Sequence, residues 1–116
     1  MLTREHRLKK FKDIYQEGRK VRGRYLALQY MKKPDGFTRF GFAVARKVKT
    51  KVQKNRLKRQ LRSICRTHLE EYRDGLDIVV NVFSIATTAS YNELERDFVL
   101  IAGRAGLVRQ SVQEKN

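Results

Sequence analysis

The stretch VARKVKTKVQKNRLKRQLRSICR, Val44 to Arg66, decides how the chain is read. Thr50 and Gln53 have the spacing of a capping box, in which the threonine hydroxyl accepts from the backbone N–H three residues on and the glutamine side chain reaches back. A long helix is therefore predicted from about Lys51 to Tyr72, with Asp74-Gly75 ending it. At about 100° per residue, Leu57, Leu61, Ile64 and His68 fall within about 60° of one another, with Cys65 beside them, and form the buried face. Asn55, Arg59, Arg62 and Arg66 lie roughly opposite, flanked by Lys51 and Lys58 on one side and Arg56 on the other. One helix thus carries a core stripe and a cationic stripe.

From Arg46 to Arg66 there are ten Lys/Arg and no acid. A solvated helix face ordinarily interleaves acids, because stacked like charges destabilise a helix. An acid-free face implies an external polyanion. Guanidinium groups grip phosphates bidentately or stack on bases, while ammonium groups act as mobile point charges. Asn55 adds a side chain that both donates and accepts, suited to a sugar hydroxyl or a base edge. The positive end of the helix near Thr50 adds a further attraction for phosphate.

The formal charge of the whole chain is +15, unevenly spread: residues 1–66 carry net +18 and residues 67–116 net −3. The positive field belongs to the first half, and nucleic acid is the partner it fits. No apolar run approaches the ~20 residues of a membrane span. The N-terminus, MLTREHRLKK, lacks the apolar stretch of a secretory signal. A cytoplasmic protein with no membrane partner and no small-molecule substrate is expected. The single cysteine, Cys65, cannot form an internal disulfide. His6 is isolated, Cys65 with His68 supplies only two potential ligands, and Asp74 and Asp77 bracket a turn without supporting groups. Neither a metal nor a catalytic group is expected on the protein.

Upstream, Leu8, Phe11, Ile14 and Tyr15 stand at helical spacing and stop at Gly18, which predicts a short first helix from Leu8 to Glu17. Arg19 to Gly23 reads as a basic turn. Arg24 to Met31 is rich in strand formers, Pro34-Asp-Gly36 supplies turn chemistry, and Phe37 to Ala45 alternates large and small residues, which predicts a hairpin. Downstream, Leu76 to Phe83 is a strand whose Asp77-Ile-Val-Val80 is apolar enough to sit centrally. Ser90 with Glu93 offers a second capping box, opening a helix striped by Leu94, Phe98, Ile101 and Ala105, and a polar tail follows Val108. The expected fold is α+β: one domain over residues 1–116, ordered from about 7 to 107, built as a two-layer α/β sandwich on a mostly antiparallel sheet.

The ordered core of the basic stretch, Lys54-Asn55-Arg56-Leu57-Lys58-Arg59 with Arg62 one turn on, resembles the signature of the bacterial ribonuclease P protein subunit family. In that family a strand ends in paired basic residues, as at Arg46-Lys47, and a short connection leads to a helix opening Arg-Asn-Arg. Phe11-x-x-Ile-Tyr15-x-x-Gly18 is similar to the family's first-helix pattern, Val21-Arg-Gly-Arg24 to its strand entry and Asp77-Ile-Val-Val80 to its later strand. The resemblance spans roughly residues 7–105. It implies an additional strand and a left-handed βαβ crossover, against the usual right-handed preference, in a fold like the second domain of ribosomal protein S5.

The resemblance also implies a function. The protein would assist a catalytic RNA subunit, which holds the magnesium ions, in removing the 5′ leader of precursor tRNA. Arg46, Lys47, Lys51, Lys54, Asn55, Arg56, Lys58, Arg59, Arg62 and Arg66 become the expected RNA-binding residues, with Phe11 and Tyr15 lining a cleft for the leader. Lys54 replaces the first arginine of the signature, and Lys49 sits where glycine is common. Gln29 falls where a strand aromatic is frequent and Phe83 near a commonly basic position, so those two stay outside the expected leader contacts. Three alternatives compete. A ribosomal or RNA-chaperone module needs only the charge and the helix, and a DNA-binding protein lacks a compact helix-turn-helix before Lys51. An autonomous nuclease lacks a carboxylate cluster.

Overall fold

A computed structural model describes residues 11–33 and 36–108. Leu8, Pro34, Asp35 and the tail beyond Val108 lie outside the described residues. The order is α1 (Lys12–Glu17), β1 (Arg19–Arg22), β2 (Leu26–Lys32), β3 (Arg39–Val44), α2 (Lys51–Thr67), β4 (Leu76–Val82) and α3 (Tyr91–Arg104), with 3₁₀ turns at Leu69–Glu71 and Ser84–Thr88.

The sheet runs β1-β2-β4-β3. β2 pairs antiparallel with both β1 and β4, whereas β3 pairs parallel with β4, so β3, α2 and β4 form the βαβ crossover. Two expectations change here. Arg19 to Arg22 is an edge strand rather than a turn: only Val21 packs inward, and its charged neighbours are what an unpaired sheet edge tolerates. The predicted β2–β3 hairpin does not form. β4 lies between those strands, because Ile78, Val79 and Val80 are fully buried on both faces and demand the central place.

α2 and α3 cover one sheet face. Leu57, Leu61, Ile64 and Cys65 from α2 and Leu94, Phe98 and Ile101 from α3 close on Leu26, Leu28, Phe40, Ile78, Val80 and Val82. α1 lies on the reverse face, with Ile14 buried against Val79 and with Phe11, Met31 and Ala43 around the pair. Gly18 ends α1 in an extended conformation, φ −75°, not the left-handed one expected of a C-terminal glycine. Its lack of a side chain serves close approach, since a Cβ there would lie 2.5 Å from the Ile14 carbonyl and 2.9 Å from that of Tyr30.

α2 begins at Lys51 as predicted, but only half of the expected capping box forms: the Gln53 N–H donates to the Thr50 hydroxyl at 3.1 Å, and among the described residues the Gln53 side chain makes no return bond. It ends at Thr67, five residues short of Tyr72. Tyr72 has to leave the helix axis to bury its ring between Phe40 and Phe98, with centroids at 5.8 and 5.9 Å. His68 leaves the core stripe for the same reason. It caps α2, and its two ring nitrogens meet Glu71 at 3.1 Å and Glu95 at 2.8 Å. The Ser90–Glu93 capping box at the start of α3 is complete in both directions.

Candidate RNA-binding interface

Buried Val48, whose N–H donates to the Ala45 carbonyl, pins the connection between β3 and α2 and leaves Arg46 and Lys47 exposed. Along α2, Lys51, Asn55, Arg59, Arg62 and Arg66 are exposed, and Lys54 and Lys58 are half-buried. Leu57, Leu61 and Ile64 fix which way those cations point, because rotating the helix would expose three fully buried side chains. Ser63 ties the helix sideways to α3 through a 3.0 Å bond with the Tyr91 hydroxyl.

Two of the arginines are also held by the fold. The Arg62 guanidinium lies 5.8 Å from the centroid of the Phe42 ring, which restrains its stem while leaving its donors free. Arg56 turns toward the Ser84–Thr88 turn and donates to the Thr87 carbonyl at 3.1 Å. Among the described residues of the expected set, it is the one whose side chain already donates a hydrogen bond to the protein. Cys65, beside them in the core, is buried, and burial pushes its thiol pKa well up despite the Arg62 charge.

The reverse face of the sheet holds the second group of candidates. Phe11 and Tyr15 meet edge to face, with centroids 6.1 Å apart, and Tyr15 is 45% exposed. The Tyr15 hydroxyl donates to Asn81 Oδ1 at 3.2 Å, and Asn81 Nδ2 donates to Gln29 Oε1 at 3.1 Å. Partial burial raises the Tyr15 pKa, keeping that hydroxyl protonated and able to donate. Arg22 stacks its guanidinium 4.8 Å from the centroid of Phe83.

Gln29 and Phe83, left out by sequence reasoning, thus share a face with Phe11 and Tyr15. Asn81 was missed altogether. The signal was present in strand alternation, since Ala27, Gln29 and Met31 on β2 and Val79 and Asn81 on β4 share one face, but it needed the β2–β4 register to be read. Tyr25 and Tyr30 are structural: Tyr25 is buried, and the Tyr30 hydroxyl reaches the Ala105 carbonyl at 3.5 Å. Asp77 is buried and paired with Arg39 at 3.0 Å and Lys33 at 3.6 Å. Among the described residues, no helix is long and apolar enough to cross a membrane.

The Ribonuclease P family model matches residues 2–106. The chain belongs to that family. It is 40% identical over 110 residues to the ribonuclease P protein component of Pseudanabaena sp., a match covering 90% of this chain and 95% of that protein. Its fold is similar to the Staphylococcus aureus RNase P protein, with TM-score 0.82, 22% identity and coverage of 90% and 98% of the two chains. It is also similar to the Thermotoga maritima RNase P protein, with TM-score 0.75, 25% identity and coverage of 82% and 94%. The family is the protein component of ribonuclease P, so this chain is a subunit of an endoribonuclease ribonucleoprotein and its partner is the ribonuclease P RNA.

Proposed function

We propose that α2 and the Arg46–Lys47 turn dock on the RNA subunit while the reverse face, with Phe11 and Tyr15, receives the single-stranded 5′ leader of precursor tRNA in the cytoplasm. The observation that carries this reading is the exposed, acid-free stripe of α2, held rigid by the Leu57–Leu61–Ile64 anchor. Its cations offset phosphate repulsion in the RNA and release counterions on binding. The aromatic pair supplies stacking surface for unpaired bases, worth roughly 1–3 kcal/mol each. Lys20 and Arg22, which by strand alternation share that face, border it with positive charge.

In this reading the chemistry belongs to the RNA and to magnesium ions bound there. The protein raises substrate affinity and supplies geometry. The test is reconstitution: a bacterial ribonuclease P RNA, at limiting magnesium, is assayed on precursor tRNA with and without the protein. Stimulated cleavage, larger for substrates with a leader of several nucleotides than with one, is expected. Absence of stimulation would overturn the assignment, and stimulation indifferent to leader length would remove the leader from it.

A further inference from the structure

A cavity of about 590 Å³ opens at the end of the sheet where α1, β2 and α3 finish and β4 begins. This is the opposite end from the start of α2, which follows the far end of β3. Its floor is apolar, formed by Met31, Leu76 and Leu107. Its rim carries three cations, Arg19, Lys32 and Arg73, against one carboxylate, Glu17.

Several cations that lie against the body of the protein have partners, although the Arg56 Nε is buried without one. Arg39 engages Asp77, Arg56 the Thr87 carbonyl and Arg104 the Arg22 carbonyl. Around this cavity Glu17, Arg19 and Lys32 are exposed and Arg73 is half-buried. The side chains of Arg19, Lys32, Arg73 and Glu17 make no hydrogen bond or ion pair among the described residues, and the Arg73 Nε is buried with no partner. A buried guanidinium nitrogen without an acceptor is costly, so Arg73 gains from an acceptor supplied from outside the protein.

We propose that this cavity is a second RNA site that takes one unpaired nucleotide, with its phosphate against Arg19, Lys32 and Arg73, its ribose hydroxyls at Glu17 and its base on the apolar floor. Each part of the rim argues for a nucleotide over a bare anion. Arginines supply forked donors for phosphate oxygens. A carboxylate repels free phosphate but accepts from sugar hydroxyls, which also distinguish RNA from DNA. An apolar floor offers nothing to an inorganic anion, and the volume lies within the usual ~300–1,000 Å³ of small-ligand sites.

The test titrates the full chain at low salt with AMP, adenosine and inorganic phosphate, following backbone amide resonances. AMP is expected to shift the resonances of Arg73, Gly106 and Leu107 and to bind at least about ten-fold more tightly than phosphate or adenosine. Lys32→Gln, at an exposed position, lowers AMP affinity about five-fold or more, and Arg73→Gln lowers it further. Arg96→Gln, which removes one charge from α3 away from the cavity, leaves it unchanged. Phosphate binding as tightly as AMP would reduce the cavity to an anion site and overturn the proposal. So would shifts confined to α2 or the reverse face, or a Lys32→Gln protein with undiminished AMP affinity. Because the probe is a free mononucleotide, the outcome is independent of the cleavage assay.

Discussion

α2 and α3 are built alike and behave oppositely. Both are amphipathic helices opened by a hydroxyl cap, and both lay a stripe of fully buried residues on the same sheet face. The difference lies in what their charges do. On α3, Glu93 completes the Ser90 cap, Glu95 holds His68, and Asp97 is buried, accepting from the backbone N–H groups of Arg24, Tyr25 and Leu26 at 3.0, 2.8 and 3.1 Å. On α2 the exposed cations of the stripe have no acid of their own helix to answer them. Charge on α3 serves the fold, and charge on α2 is left for the proposed RNA contact.

That contrast is open to attack, most strongly at Asp97. Asp97→Ala strips the acceptor from those backbone donors, and by burial cost alone should lower unfolding free energy by about 3–4 kcal/mol in urea melts. A loss below about 1 kcal/mol would mean that the β1–β2 turn, where a Cβ on Gly23 would sit 2.6 Å from the Asp97 carboxylate, does not depend on it. Arg59→Ala with Arg62→Ala should do the reverse. Stability changes by less than about 1 kcal/mol, while RNA affinity falls about 10- to 100-fold and the slope of log affinity against log salt shrinks by roughly 1.5. An unchanged slope would move both residues off the interface.

The caps sharpen the comparison on a smaller scale. Ser90→Ala removes one half of a reciprocal box and Thr50→Ala a single accepted bond, so the first should cost about 1–1.5 kcal/mol and the second about 0.5–1 in thermal or urea unfolding. Equal costs would show that the Glu93 side chain contributes nothing.

The smallest effect expected is at His68. Burial pulls its pKa down, but the hydrogen bonds to Glu95 and Glu71 outweigh that and leave it raised from 6.5. Both ring nitrogens face carboxylate oxygens, which only accept, so the doubly protonated ring is the form that satisfies them. A raised folded pKa contributes stability that is fully present below the unfolded value and is lost as pH rises through the folded one. Wild type should therefore lose more stability than His68→Gln between pH 5.5 and 8.5. Parallel curves would show that the link from α2 to α3 is not ionic.

Much of this was legible in the order of residues. The start of α2, the start of α3, the central place of β4 and the two stripes of α2 follow from capping chemistry and from periodicities of 3.6 and 2, which are local. The failures are also of one kind. Arg19–Arg22 looked like a turn because an edge strand needs only one inward side chain. The β2–β3 hairpin looked natural because adjacency in sequence is the usual guide to pairing, and β4 arrives too late in the chain for that guide to count it. His68 fell on the core side of an ideal wheel, yet the helix had already ended where Tyr72 needed to turn inward.

The candidate site divides in the same way. The exposure of the α2 cations, Arg56 excepted, could be read from the sequence by itself, because an acid-free run on a helix whose opposite face is apolar turns away from the sheet. The reverse face could not. Tyr15, Asn81 and Gln29 are far apart in the chain and meet through a strand register that is settled only when β4 inserts beside β2. The cavity rimmed by Arg19, Lys32 and Arg73 draws on the ends of several elements and has no signature in any one of them. Local rules determined which surface is charged, and long-range pairing decided which distant side chains became neighbours.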